Sequence, residues 1–174
     1  MYVSLEEEKF TIVKMCELLE TKKFHPSDTV VAMVSPDYSA TIAMHVAHHL
    51  SADGEMLDII PVPVAYPDED PEPNRRTFMN VKNPYGLHAF KKYKKVILVE
   101  AGIITGNNYK YLTELFKNKT DLEVYTVAQY ENVHSVYKSD FVGRYYDSEK
   151  QELEFYWERY NKHWIKKPTT KSSE

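Results

Sequence analysis

Apolar and polar positions fall into blocks along the chain, and the blocks differ in period. From Leu5 to about Phe24, apolar residues at Phe10, Val13, Cys16 and Leu19 recur every three positions among charged ones, which predicts an amphipathic helix. His25-Pro26-Ser27-Asp28 breaks it. The run "TVVAMV" (29–34) is short, apolar and β-branched and predicts a buried strand. "SPDYS" then turns the chain, and Ala40, Ala43, Met44, Ala47 and Leu50 line one face of a second helix. After Asp53-Gly54, "EMLDIIPVPVAYP" reads as a strand. Its Pro61 and Pro63 lack ladder donors and put it at a sheet edge or strand end. "KKVILVE" is the next buried strand, Leu112, Leu115 and Phe116 give the following helix its core face, and "LEVYTVA" (122–128) is a further strand. "DFVGRYYD" and "LEFYWERYN" predict a final strand pair or extended segments.

Strand and helix alternate through the middle of the chain, so the expected fold class is α/β, a mostly parallel sheet flanked by helices. At 174 residues the chain suits one domain, expected over 1–165. Residues 67–84 carry prolines and a block of acids with no sustained period, and are expected to form a flexible loop and candidate lid. The polar end, 166–174, is expected to be disordered.

A net charge of −4 argues against duplex nucleic acid or an anionic membrane as partner and leaves a small soluble ligand. No apolar run is long enough to span a bilayer, and Met1–Phe10, with Glu6, Glu7 and Glu8, lacks the order of a signal peptide. The expected compartment is the cytoplasm. Cys16 is the only cysteine, which excludes an intrachain disulfide and predicts a buried core thiol. The abundant tyrosines could stack on single-stranded bases, but their helical and strand spacing favours packing. His45, His48 and His49 could share a metal on one helix face. Without a glutamate after His45 an ordinary polar face is the better reading.

The stretch "VILVEAGIITGNNYKYL" (96–112) carries the most chemistry. Four apolar residues run into Glu100, the chain turns through Gly102 and Gly106, and two asparagines lead into a helix. Ligands of parallel sheets gather at the carboxyl ends of strands, where loops and helix amino ends present free amides. A Thr hydroxyl, a glycine turn and those amides can hold a phosphate, and an acid beside them can receive sugar hydroxyls or a hydrated Mg²⁺. An ordinary strand-to-helix turn has the same residue types and stays open as an alternative.

"VILVEAGIITGNN" resembles the phosphoribosyl-pyrophosphate motif of the type I phosphoribosyltransferases: four apolar residues, acids, a short apolar pair, then a Thr-Gly turn. The resemblance implies that Thr105, Gly106, Asn107 and Asn108 wrap a 5-phosphate and that Glu100 faces the ribose hydroxyls. "SVYKSDFVGRYYD", from Ser135, is similar to the Lys-Pro-Asp-Phe-Val-Gly segment of the 6-oxopurine branch, the hypoxanthine, guanine and xanthine enzymes. It implies base contacts by Lys138, Phe141 and Val142, with the lysine donating to the purine O6 and the aromatic ring stacking. "FYWERYN" is similar to the closing strand of that branch and implies a metal or base role for Glu158. Mg²⁺ as cofactor, a nucleotide or phosphoribosyl ligand and assembly into dimers or tetramers are likewise implied by the resemblance, which spans about residues 28–160.

The chain departs from the motif at defined places. Ala101 stands where a second acid is usual, Ile104 where an acid or hydroxyl is common, and Asn108 where Thr or Ser closes the loop. "SPDYSAT" (35–41), at the position of the pyrophosphate loop, has no glycine, and Asp37 would repel a diphosphate. Two functions therefore follow. The first is phosphoribosyl transfer to a 6-oxopurine-type base, with Glu100 catalytic. The second is a catalytically degenerate relative that binds a nucleotide as sensor or regulator, or hydrolyses an N-glycoside.

Overall fold

The computed structural model describes residues 1–34, 36–62, 64–65, 80–81 and 86–155. The elements, in chain order, are β1 (Tyr2–Val3), α1 (Leu5–Leu19), β2 (Thr29–Val34), α2 (Pro36–His49), β3 (Asp58–Val62), β4 (Val64–Ala65) and β5 (Asn80–Val81). A short 3₁₀ turn (Leu87–Phe90), β6 (Lys95–Ile103), α3 (Asn107–Lys119), β7 (Glu123–Asn132), β8 (Phe141–Tyr146) and β9 (Glu154–Phe155) follow. The main sheet has the order β3-β2-β6-β7-β8 with every neighbouring pair parallel, the α/β class expected.

Alternating residues of the central strands feed two cores, one on each face. Val31, Ile97, Val99, Ala101 and Val127 pack with Ile12, Met15 and Leu19 of α1 and with Ile42, Val46 and Ala47 of α2. Val30, Ala32, Val96, Leu98 and Ala128 pack with Tyr109, Leu112 and Phe116 of α3 and with Phe90. With both faces covered, the strands need continuous rather than alternating hydrophobicity, which is why "TVVAMV" and "KVILV" carry no polar face. Pro61 falls in the edge strand β3, as its missing donor demands. No described helix is long and apolar enough to cross a membrane.

Several expectations are corrected. On α1 the inward residues are Glu8, Thr11, Ile12, Met15, Cys16 and Leu19, while Phe10 and Val13 are 65% and 56% exposed. A strict three-residue spacing rotates each step about 60° away from the last on a 3.6-residue helix, so Phe10, Val13, Cys16 and Leu19 cannot share a face. On α2, with Leu50 just after it, the buried face is Ile42, Ala43, Val46, Ala47 and Leu50, rotated to one side of the expected stripe, so Ala40 and Met44 are exposed. "SPDYS" is largely not a turn: Pro36 opens α2, where its fixed φ and missing N–H are tolerated.

Gly102 does not turn the chain either; it is an interior residue of β6, paired with Tyr130. Among the described residues, "DFVGRYYD" and "LEFYWERYN" are extended but do not pair with one another. β8 adds to the main sheet beside β7, and β9 pairs in parallel with β1 in a separate two-stranded unit. Within the segment expected to be a loop, Asn80–Val81 pairs antiparallel with β4, while 67–79 and 82–84 lie outside the described residues. Glu158 and the tail 166–174 also lie outside them.

Candidate functional site

The site lies at the carboxyl end of β6, the central strand. Glu100 is still within β6, beside Ala128 of β7, and only 7% exposed. A carboxylate so deep needs donors. Ser39, fully buried in the first turn of α2, supplies one: its hydroxyl donates to Glu100 Oε1 at 3.1 Å and accepts the Ala101 amide at 3.2 Å. This hydroxyl was missed in the sequence, although Ser39 stands on the same i, i+3, i+4 stripe as Ile42, Ala43 and Val46 and so had to be buried and partnered.

Beyond Ile103 the chain turns through Ile104 and Thr105 to Gly106, the N-cap of α3, at φ +78° and ψ 0°. That left-handed conformation favours glycine. The surroundings require it as well, since a Cβ there would lie 2.1 Å from Ser135 Oγ and 2.9 Å from the Tyr137 amide nitrogen. The β7–β8 loop thus closes over one side of the turn, fastened by the Val136 amide donating to Thr105 O at 2.9 Å. Asn132 braces the same turn. Its Nδ2 donates to Ile104 O at 3.0 Å and to Ser148 Oγ at 2.8 Å, and its Oδ1 accepts the His134 and Ser148 amides.

The first intrahelical bond of α3 runs from the Lys110 amide to Gly106 O at 3.0 Å, so the amides of 107–109 precede any intrahelical acceptor. The Asn107 amide reaches Thr105 Oγ1 at 3.4 Å. Beside this helix start is a pocket of about 100 Å³ lined by Glu100, Gly102, Ile103, Ile104, Thr105, Gly106 and Tyr109, close to the positive end of the helix dipole. That volume admits a phosphate-sized group; a whole nucleotide, needing roughly 300 Å³ or more, would extend beyond it. The Tyr109 hydroxyl donates to Val127 O at 2.6 Å and lies 3.1 Å from Leu98 O. Burial, then the nearby charge of Glu100, pushes its pKa well above the ordinary phenol value, so it stays a neutral donor.

Of the residues singled out from the sequence, the structure brings Glu100, Thr105 and Gly106 together around this pocket, with Asn107 next to it at the start of α3. Asn108 is in the same first turn. Lys138, Phe141 and Val142 are not among the lining residues. Lys138 Nζ donates to Val133 O at 2.9 Å and stands 3.7 Å from Glu131 Oε1. Phe141 and Val142 are each 8% exposed, and the Phe141 ring packs on Tyr125 at 6.4 Å between centroids. His134, Asp147 and Glu149, none of them in this lining, bring three potential ligand atoms close together, and Lys150 Nζ already holds Asp147 Oδ2 at 2.7 Å. His49 pairs with Glu20 of the α1 C-cap at 2.7 Å.

No family model matches the chain, and no curated protein matches it in sequence. Solved structures do match its fold. A Helicobacter pylori xanthine-guanine-hypoxanthine phosphoribosyltransferase superimposes with a TM-score of 0.68 at 14% identity, covering 94% of this chain and 95% of that one. A purine phosphoribosyltransferase from Pyrococcus horikoshii gives 0.61 at 17% identity over 90% and 92% of the two chains. A Staphylococcus aureus hypoxanthine phosphoribosyltransferase gives 0.60 at 16% identity over 80% and 74%. The fold is the one that the motifs at 96–108 and 135–143 led us to expect, and at these identities the similarity is one of fold.

Proposed function

We propose that the chain binds a 5-phosphoribosyl group and transfers it to or from a 6-oxopurine-type base in nucleotide metabolism. One observation carries this reading: a buried carboxylate, Glu100, held by Ser39 beside a glycine turn that opens onto the amino end of a helix. The 5-phosphate would accept from the first amides of α3 and from the Thr105 hydroxyl, in the positive field of the helix end. Glu100 would accept from the ribose hydroxyls. As the glycosidic bond stretches and the ribosyl carbon gains positive charge, a carboxylate that is only 7% exposed and fixed by Ser39 would stabilise it without reorganising. Tyr109 forms part of the wall and keeps its proton.

Lys138 is the donor for the carbonyl oxygen of the base. Phe141 and Val142 complete the base contacts carried over from the motif, and stacking by Phe141 would require its ring to leave Tyr125. Mg²⁺ fits the donor set, because this small hard cation uses one or two carboxylates and fills its other positions with ligand phosphates and water. Glu100 would be one such carboxylate, with Glu158 as the second named from the motif. The chemistry Mg²⁺ would supply there is positive charge to offset that of the ligand's phosphates.

A second reading, binding without turnover, is favoured by particular residues. Ala101 is fully buried on the α1 and α2 side, and Ile104 is 61% exposed at the pocket rim, so neither position offers a group to hold metal or move a proton. Pro36–Ser39 is helical where a diphosphate cradle would need a glycine loop. Calorimetry with a purine nucleoside monophosphate, set against phosphoribosyl pyrophosphate with Mg²⁺ and an assay of base-dependent pyrophosphate formation with a 6-oxopurine base added, separates the two. Transfer requires both to bind and pyrophosphate to appear. Monophosphate binding alone selects the second reading, and no binding of either overturns both. In the transfer case Lys138→Ala should raise the KM for the base about tenfold or more, and an unchanged KM removes Lys138 from the base site.

A further inference from the structure

Glu131 stands beside Ile103 of β6, and its side chain is completely buried. Oε2 accepts the Ser139 amide at 2.8 Å. Oε1 has no hydrogen-bond partner among the described residues and lies 3.7 Å from Lys138 Nζ. A buried carboxylate with an unfilled oxygen is costly unless a cation compensates it, so Lys138 is tied to this place by electrostatics. The ammonium also donates to Val133 O at 2.9 Å and reaches Asn132 O at 3.4 Å. It therefore fastens one end of the 132–138 loop to the other. That loop is the part that closes over Gly106, with Ser135 and Tyr137 against the glycine and the Val136 amide on Thr105 O.

We propose that Glu131 is a positioning residue: through Lys138 it keeps the 132–138 loop in place on the Thr105–Gly106 turn, so that a ligand anchored there meets the ammonium at a fixed point. For its ligand the proposal rests on the reading of the site given above; its internal contacts are independent of that reading. The ligand class it selects is a nucleoside monophosphate with a carbonyl on the base, since an amino group would set donors against donors.

The test uses the full chain with E131Q, K138M, K138R and the E131Q/K138M double variant. Glutamine keeps the volume and the acceptor for Ser139 but removes the charge that holds Lys138. Amide hydrogen exchange at Val136 should rise about tenfold in E131Q and in K138M, stay near wild type in K138R, and rise no further in the double variant. Calorimetry with guanosine and adenosine monophosphates should show the preference for the former reduced about fivefold or more by E131Q and by K138M and retained by K138R. If the wild type binds neither nucleotide, the reading of the site fails, and the exchange data alone decide the positioning claim. Should E131Q not fold, the contrast between K138M and K138R decides it. Unchanged exchange at Val136 in E131Q or K138M overturns the proposal, and so does equal loss in K138R, which would reveal general damage in place of a lost charge pair.

Discussion

Replacing Gly106 with alanine tests the turn on which the site is built. At φ +78° the backbone is left-handed, a conformation that costs a residue with a Cβ about 1–2 kcal/mol. The new methyl would also lie 2.1 Å from Ser135 Oγ, 2.9 Å from the Tyr137 nitrogen and 3.1 Å from its Cβ. Ser135 cannot simply rotate away, because its hydroxyl donates to Tyr137 O at 2.6 Å and accepts the Tyr137 amide at 3.3 Å. The loop must lift and strain the Val136–Thr105 bond, and overpacking of this kind costs about 1–3 kcal/mol more. The expected loss is therefore about 2–5 kcal/mol. Gly54 is an internal control: its φ is +81°, but nothing lies within 4 Å of a Cβ there, so alanine incurs only the backbone part. Urea unfolding of wild type, G54A and G106A measures both. With a slope of about 2 kcal/mol per molar, G106A should lower the midpoint by roughly 1–2.5 M and G54A by roughly 0.5–1 M. Equal shifts in the two variants, or a loss below about 1 kcal/mol in G106A, would refute the argument that the β7–β8 loop is packed on the turn.

Other substitutions probe the surroundings of the site. Ser39→Ala removes a donor from Glu100 and an acceptor from the Ala101 amide, and should cost about 1–3 kcal/mol in denaturant unfolding; no loss would mean that Ser39 does not hold the carboxylate. Gly143→Ala would bring a Cβ to 2.7 Å from Gln129 O and 3.0 Å from Thr11 O, both backbone atoms, so α1 must lift from β8 at a cost of about 2 kcal/mol or more. A variant as stable as wild type would contradict that contact. Acid stability should depend on Asp28, whose pKa is held below the ordinary carboxylate value first by the Thr29 hydroxyl at 2.6 Å and then by Lys95 and Lys94. Because the folded value is the lower one, this stabilisation is complete above the unfolded value of about 4 and is lost as pH falls through the folded value. Asp28→Asn should therefore flatten the loss of stability between neutral pH and pH 3, and an unaltered slope would show that Asp28 contributes nothing there.

The sequence made the middle of the fold legible because buried parallel strands carry unbroken apolar runs: β2 was read with its observed bounds, Thr29–Val34. It was less informative where chemistry and packing share a residue. Glycine was read as a turn at both 102 and 106. At 106 the left-handed backbone bears this out, whereas at 102 the missing side chain makes room for Leu153, whose Cδ2 lies 3.2 Å from where a Cβ would be. β1 was not legible, having two residues, nor was its pairing with β9, which joins Tyr2 to Glu154 across the whole chain; the extended character of β9 itself is what "LEFYWERYN" suggested. Glu100 and the Thr105–Gly106 turn could be found from their order along the chain. Ser39 is visible only once α2 is known to begin at Pro36, and Glu131 only once β7 is known to run past Ala128 to Asn132.

The measurement that bears most directly on this account is a titration of the isotope-labelled protein with ribose 5-phosphate, followed at the backbone amides. A phosphate gripped by the amino end of α3 should produce saturable shifts centred on Gly106, Asn107, Asn108 and Tyr109, and Gly106→Ala should weaken them. Absence of saturable shifts, or shifts centred on another part of the surface, would contradict a phosphate site at this turn.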